Sequence, residues 1–181
     1  MEKAAITMSE RVRLSVDVSE LLRHPGTSRR LRSEHEMEGV AVALARVPDQ
    51  TRVVIDVRLD ALVEGIHVSG QVAATIHLEC RRCLATFNRD LQVEVGEVFV
   101  PRPAPSDDEY EVVEGMIDLE PMIRDVLVLA MPLNPICREG CLGLCPACGV
   151  DRNAEDCGHD TARTNVRWGA LESLRRKMME G

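Results

Sequence analysis

Five cysteines and a histidine crowd into the stretch PICREGCLGLCPACGVDRNAEDCGHD, residues 135–160, and two further cysteines close the segment ECRRC at residues 79–83. A globular chain has three uses for clustered thiols: disulfides, a redox centre or metal ligation. Seven cysteines is an odd number, and the N-terminal residues MEKAAITMSERVRLSVDV carry no continuous apolar run of the secretory kind. The expectation is a cytoplasmic chain with reduced thiols, which disfavours a disulfide framework.

The spacing points to metal. Cys80 and Cys83 are separated by two residues, Cys137 and Cys141 by three, Cys145 and Cys148 by two, and Cys157 stands two before His159. Seven sulfurs and one imidazole make two tetrahedral sets, the arrangement structural zinc requires. Two groupings are open. Cys80, Cys83, Cys137 and Cys141 can form one site with Cys145, Cys148, Cys157 and His159 as a local second; the rival puts Cys137, Cys141, Cys145 and Cys148 around one ion. The first is favoured. Two structural zinc ions are therefore expected, and four protein ligands at each leave no position for a catalytic water.

The rest of the chain bears on the host fold. Strict alternation places Val53, Ile55, Val57 and Leu59 on one face and Asp56, Arg58 and Asp60 on the other. It likewise places Ile66, Val68, Val72, Ala74, Ile76 and Leu78 inward, with His67, Ser69, Gln71, Thr75 and His77 outward. This is the pattern of an antiparallel sheet with one wet face. An earlier alternation, Val12, Leu14, Val16 and Val18, precedes a short helix that Ser19 is expected to cap. In LQVEVGEVFV the alternation shifts at Gly96, a candidate bulge. DLEPMIRDVLVLAMP reads as a helix with Asp118 as cap, and NVRWGALESLRRKMMEG as a last helix capped by Asn165 with a Trp168, Leu171, Leu174 and Met178 stripe. The fold class predicted is α+β: an antiparallel, partly barrel-like sheet, a few helices and a cysteine-rich zinc-binding segment. Residues 1–100 form the sheet region, 101–117 an acidic, proline-rich linker, and 118–181 the helix, zinc segment and last helix packing back on the sheet as one composite domain.

Other chemistry is not apparent. The sequence has no G-x-S-x-G, no phosphate-binding glycine loop and no H-E-x-x-H, so a non-enzymatic protein is expected. The acidic run of Asp107, Asp108, Glu109, Glu111 and Glu114 reads as a solvated loop. The formal net charge of −8 argues against a general nucleic-acid binder. RNA contact would fall to local patches: Arg23, Arg29, Arg30 and Arg32, and Arg175, Arg176 and Lys177. Arg175–Lys177 equally suit a helix C-terminus. The longest apolar stretch, DVLVLAMPL, is too short to cross a bilayer, and no small-molecule substrate is evident.

Taken in order, LECRRCLATF, IDLEPMIRDVLVLAMPLNPIC, CLGLCPACGVDRN and RWGALESLRRK resemble the YceD family, the large ribosomal RNA subunit accumulation proteins. By that resemblance Cys80 and Cys83 match a C-x-R-C element and Cys145 and Cys148 a GLCPxCG element. His159 stands where relatives often show a second cysteine, a replacement zinc accepts. The resemblance implies a role in large-subunit ribosome biogenesis and rRNA accumulation, with a large-subunit precursor, rRNA, or a ribosomal protein or assembly factor as partner. It implies no catalytic residues. Two other readings stay open: a thiol redox or zinc-dependent enzyme built on ECRRC, and an acidic protein-interaction adaptor.

Overall fold

The computed structural model describes residues 14–101 and 110–159, together with Leu171 and Met178. The described strands run β1 (Ser15–Asp17), β2 (Ser28–Glu36), β3 (Ala41–Val42), β4 (Ala45–Arg46), β5 (Arg52–Ala61), β6 (Ile66–Glu79), β7 (Thr86–Val100), β8 (Tyr110–Val113) and β9 (Met116–Asp118), with helices α1 (Ser19–Arg23) and α2 (Glu120–Ala130). They form one nine-stranded sheet that curls into a half-barrel.

The long hairpin of β6 and β7 is its spine. It pairs in one unbroken antiparallel register from Ile66↔Phe99 to Glu79↔Thr86. On the other edge of β6, β5 pairs along the first half and β4 caps the second, at Ala45↔Leu78 and Arg46↔His77. β2 then pairs with β5 from Arg52 to Asp60.

The alternation expected for β5 and β6 is observed. Val53, Ile55, Val57 and Leu59, with Ile66, Val68, Val72, Ala74, Ile76 and Leu78, all turn into the core, which α2 closes through Leu119, Met122, Ile123 and Leu127. Pro121 lies in the first turn of α2, where its missing N–H costs nothing; the N-cap position falls on Leu119 rather than on Asp118, whose Oδ1 accepts the Glu120 N–H at 3.0 Å. Gly70 sits where β6 passes closest to β5: its φ is 149°, and a Cβ there would stand 2.8 Å from Val57 Cα and against the Asp56 carbonyl.

Four expectations are corrected. The sheet is mixed, because β8 runs parallel to β7 at Phe99↔Tyr110 and Val100↔Glu111; alternation reports a wet face, not strand direction. The Phe99 and Tyr110 rings stack across that pairing, centroids 5.2 Å apart. Within 101–117, expected to be linker, β8 and β9 form a hairpin turned at Glu114 and Gly115, with φ of 51° and 75°. Gly96 is not a bulge: it pairs in register with Ser69, and Val98 is an apolar residue on the wet face, 41% exposed. Ser19 does not cap α1 with its hydroxyl; its own N–H donates to Asp17 Oδ1 at 2.9 Å, and its hydroxyl faces the Gly115 carbonyl at 3.4 Å.

Leu171 and Met178 are helical and exposed. The remainder of the expected last helix, with Asn165, Trp168, Leu174, Arg175, Arg176 and Lys177, lies outside the described residues, as do Val12 and Asp107–Glu109. Among the described residues no helix is long and apolar enough to cross a membrane.

Candidate metal centres

The connection from β6 to β7 is the turn Cys80–Ala85, and it carries the first two thiols. The Cys80 N–H donates to the Ala85 carbonyl at 2.9 Å and the Leu84 N–H returns to the Cys80 carbonyl at 2.9 Å. The other two thiols follow α2. The chain leaves that helix extended at Met131, passes Pro132 and Pro135, and is tied to the hairpin end where the Arg81 N–H meets the Pro135 carbonyl at 2.9 Å. Cys137 and Cys141 then face Cys83 and Cys80. The Cys80 and Cys141 sulfurs are 3.8 Å apart, those of Cys83 and Cys137 3.7 Å.

These distances fit a metal site better than a disulfide. A disulfide holds its sulfurs about 2.05 Å apart. Four thiolates around a tetrahedral ion with metal–sulfur bonds of about 2.3 Å have edges of about 3.8 Å. All four sulfurs lie within 4.8 Å of one another, and Cys80, Cys83 and Cys141 are buried in a small cluster of their own with Phe87, Ile136 and Leu144. The second group, Cys145, Cys148, Cys157 and His159, is equally close, its ligand atoms within 4.8 Å, but more open to solvent. The favoured grouping is thus the one the fold assembles; the rival splits across the two clusters.

The second cluster is built from one local segment. The Gly149 N–H donates to the Cys145 carbonyl at 2.8 Å, and the Cys145 N–H to the Val150 carbonyl at 2.8 Å. Leu144 and Asp151 pair as a single antiparallel bridge. This turn is seated on the first cluster: the Leu144 N–H reaches the Arg82 carbonyl at 2.9 Å. Gly143, at φ 73°, leaves no room for a Cβ, which would stand 2.8 Å from that same oxygen.

The electrostatics suit a cation. Burial pushes the Cys80 thiol up, yet the backbone N–H groups of Cys83, Cys137 and Arg82 directed at its sulfur outweigh this and bring it down to about 6. The N–H groups of Ala147 and Cys148 do the same for Cys145, also to about 6. For Cys83 the Ala85 N–H pulls down, but burial and the crowding thiols of Cys80, Cys141 and Cys137 push it up to about 12. Cys157 is held down by the His159 N–H and raised by Cys145, burial and Cys148, with a net rise. Each cluster therefore offers one ready thiolate whose charge resists further ionisation nearby, and a bound cation lifts that resistance. The donor sets fit a metal ion: four sulfurs in the first cluster, three sulfurs and one imidazole nitrogen in the second.

The fold divides the arginine cluster between two acids, Asp17 beside Arg23 and Arg29 and Asp56 beside Arg30 and Arg32. Arg23 ends α1, Arg29 donates to the Asp17 carbonyl at 2.6 Å, and Arg30 grips Asp56 with two bonds of 2.8 Å. Arg32 shares the outer face with Arg30, and its charge also reaches Asp56. The other histidines fit surface roles: His24 meets the Glu20 carbonyl and His77 the Asn88 amide oxygen, each at 3.0 Å. Asn153, not singled out in the sequence, has its side chain between the clusters. Its signal was the Asp151-x-Asn153 pair of turn formers.

The family model described as "Large ribosomal RNA subunit accumulation protein YceD" matches residues 68–175, a span containing all eight candidate ligands. An uncharacterised protein of Mycobacterium tuberculosis is 34% identical over 168 residues, covering 89% of this chain and 81% of its own. One of Mycobacterium leprae is 30% identical over 165 residues, covering 87% and 76%. A chloroplastic protein of Arabidopsis thaliana named large ribosomal RNA subunit accumulation protein YCED homolog 1 is 31% identical over 64 residues, covering 35% of this chain and 20% of its own. No solved structure matches.

Proposed function

The chain belongs to the YceD family, and on that premise we propose that it is a non-enzymatic, zinc-binding factor in biogenesis of the large ribosomal subunit. Membership implies a role in accumulation of the large-subunit rRNA. The observation that carries the finer reading is that the family match spans both four-ligand clusters, so the shared part of the chain is the part with metal-binding geometry.

Zinc is the ion favoured by sulfur-rich tetrahedral sets with ordinary metal–sulfur lengths. Its work here is structural. Residues 135–159 bury few apolar side chains beyond the cysteines, so ligation must offset the entropy of ordering them. Cys80, Cys83, Cys137 and Cys141 would hold one ion, and Cys145, Cys148, Cys157 and His159 the other. With four protein ligands each, neither has an open position for substrate.

The formal net charge of −8 favours a protein partner over direct rRNA contact. The test has two parts. Metal analysis of the purified chain should find about two zinc ions. Depletion in its host should lower mature large subunits in sucrose gradients and lower large-subunit rRNA. Unchanged gradients and rRNA would refute the ribosomal role; metal-free protein would refute the zinc.

A further inference from the structure

Asn153 belongs by sequence to the second cluster, between Cys148 and Cys157, but its side chain is engaged with the first. Its Oδ1 accepts from the Leu142 N–H at 2.9 Å and from Arg138 Nη2 at 3.0 Å, both in or beside the Cys137–Cys141 loop. Its Nδ2 lies 3.5 Å from Cys141 Sγ and donates to Asp151 Oδ1 at 2.6 Å. The orientation of the amide is fixed by chemistry. The Leu142 N–H can only donate, so the oxygen must face it; an ionised Asp151 can only accept, so the nitrogen must face that side and the sulfur with it.

The residue is anchored from behind as well. Its own N–H donates to Asp151 Oδ1 at 3.0 Å, Asp151 pairs with Leu144, and the neighbouring Arg152 N–H donates to the Gly143 carbonyl at 3.0 Å. The turn that places Asn153 is therefore the turn that the second cluster closes. N–H donation to a metal-bound thiolate tunes both affinity and electronic energy, and such partners commonly matter about 10–100-fold in binding.

We propose that Asn153 is a positioning residue that couples the two metal centres: an ion at Cys145, Cys148, Cys157 and His159 fixes the turn that holds the Asn153 amide on Cys141 and so tightens the four-sulfur centre. The proposal rests on the metal reading of both clusters.

Cobalt(II) separates the two ideas, because a four-sulfur site and a site of three sulfurs and one nitrogen absorb at different energies. The full-length chain is stripped of metal and titrated with cobalt, as wild type, C148S, N153D and the double variant. N153D keeps an acceptor facing Leu142 and Arg138 and replaces the N–H that faces Cys141 and Asp151 with a carboxylate oxygen, so C148S, which adds no charge beside the sulfur, carries the band-shift test. In the wild-type background C148S should weaken cobalt binding at the four-sulfur site about tenfold, and in the N153D background less than about twofold. The sulfur-to-cobalt charge-transfer band of that site should move to lower energy in N153D, since the lost N–H no longer stabilises the sulfur lone pair. The same shift should appear in C148S, where Asn153 is intact but its turn is loose, so the proposal is testable even if N153D fails to fold. Equal weakening by C148S in both backgrounds, or an unmoved band, overturns the coupling and leaves the metal reading standing. Wild type that takes up no cobalt overturns the metal reading, and the coupling with it.

Discussion

Leu84 and Gly149 occupy the same position in two copies of one turn. Each follows the second cysteine of a C-x2-C pair, each has positive φ, 61° and 78°, and each returns its N–H to the carbonyl of the first cysteine, at 2.9 and 2.8 Å. Left-handed backbone costs a side-chain-bearing residue about 1–2 kcal/mol, and glycine avoids it. The hairpin end of the first cluster thus carries a strain that the second does not.

L84G should therefore be tolerated where a glycine normally is not. Leu84 is 54% exposed, so close to half of its burial, about 1 kcal/mol, is lost. Relief of strain offsets that loss and the extra backbone entropy of glycine, leaving the variant within about 0.5 kcal/mol of wild type. G149A should cost about 1 kcal/mol from strain alone, since nothing lies within 4 Å of its would-be Cβ. Urea denaturation of the metal-loaded chain reads both, as a midpoint close to wild type for L84G and a lower one for G149A, with unchanged slope.

C80S and C148S should differ in reach. C80S removes a candidate ligand that joins the β6–β7 hairpin to the segment after α2, so hydrogen exchange should rise at Arg81–Ala85 and from Met131 through Cys141. C148S should raise exchange mainly in residues 144–159 and leave β5, β6 and β7 protected. Identical exchange maps for the two variants would contradict the two-site grouping.

G70A should lower stability by more than about 2 kcal/mol, combining a contact with the backbone of β5 and an unfavourable φ. The obstacle is Val57 Cα and the Asp56 carbonyl, neither of which can rotate away. A urea midpoint equal to wild type would show that β5 and β6 can part locally without penalty.

Tyr110 should give the fold an alkaline limit. Its hydroxyl donates to Asp125 Oδ2 at 2.9 Å, and burial, then that hydrogen bond and the Asp125 charge, push it up to about 12. The folded state therefore holds the phenol proton more tightly than the unfolded chain. This contribution is complete below about pH 10 and is lost as pH rises from 10 to 12. Y110F should remove that part of the pH dependence and cost about 1 kcal/mol at neutral pH. Because Tyr110 is the chain's only tyrosine, tyrosinate absorbance gives its titration directly.

Legibility followed burial. β5 and β6 could be read residue by residue because each has one dry and one wet face, and α2 because Leu119, Met122, Ile123 and Leu127 recur at helical spacing. β2 could not: as an edge strand it turns Leu31, Ser33 and His35 inward between arginines and glutamates, an alternation of size rather than polarity. Tyr110–Val113 was hidden in an acidic run, and its parallel partner lies across a two-residue pairing with no local signature. The two groups of candidate ligands were legible because their cysteines recur at the short spacings that metal-binding pairs use. The role of Asn153 was not, because an amide in a turn gives no sign of which neighbour it will reach.

The first cluster closes over a long interval: Cys80 meets Cys141 across 61 residues and Cys83 meets Cys137 across 54. A chain made from its N-terminus exposes the earlier pair well before the later one exists, so β5, β6 and the start of α2 can assemble while two thiols stand without their partners. The clasp is then a late step of maturation, and reactivity of Cys80 and Cys83 toward an alkylating reagent is a clock that distinguishes a nascent chain from one that has closed it.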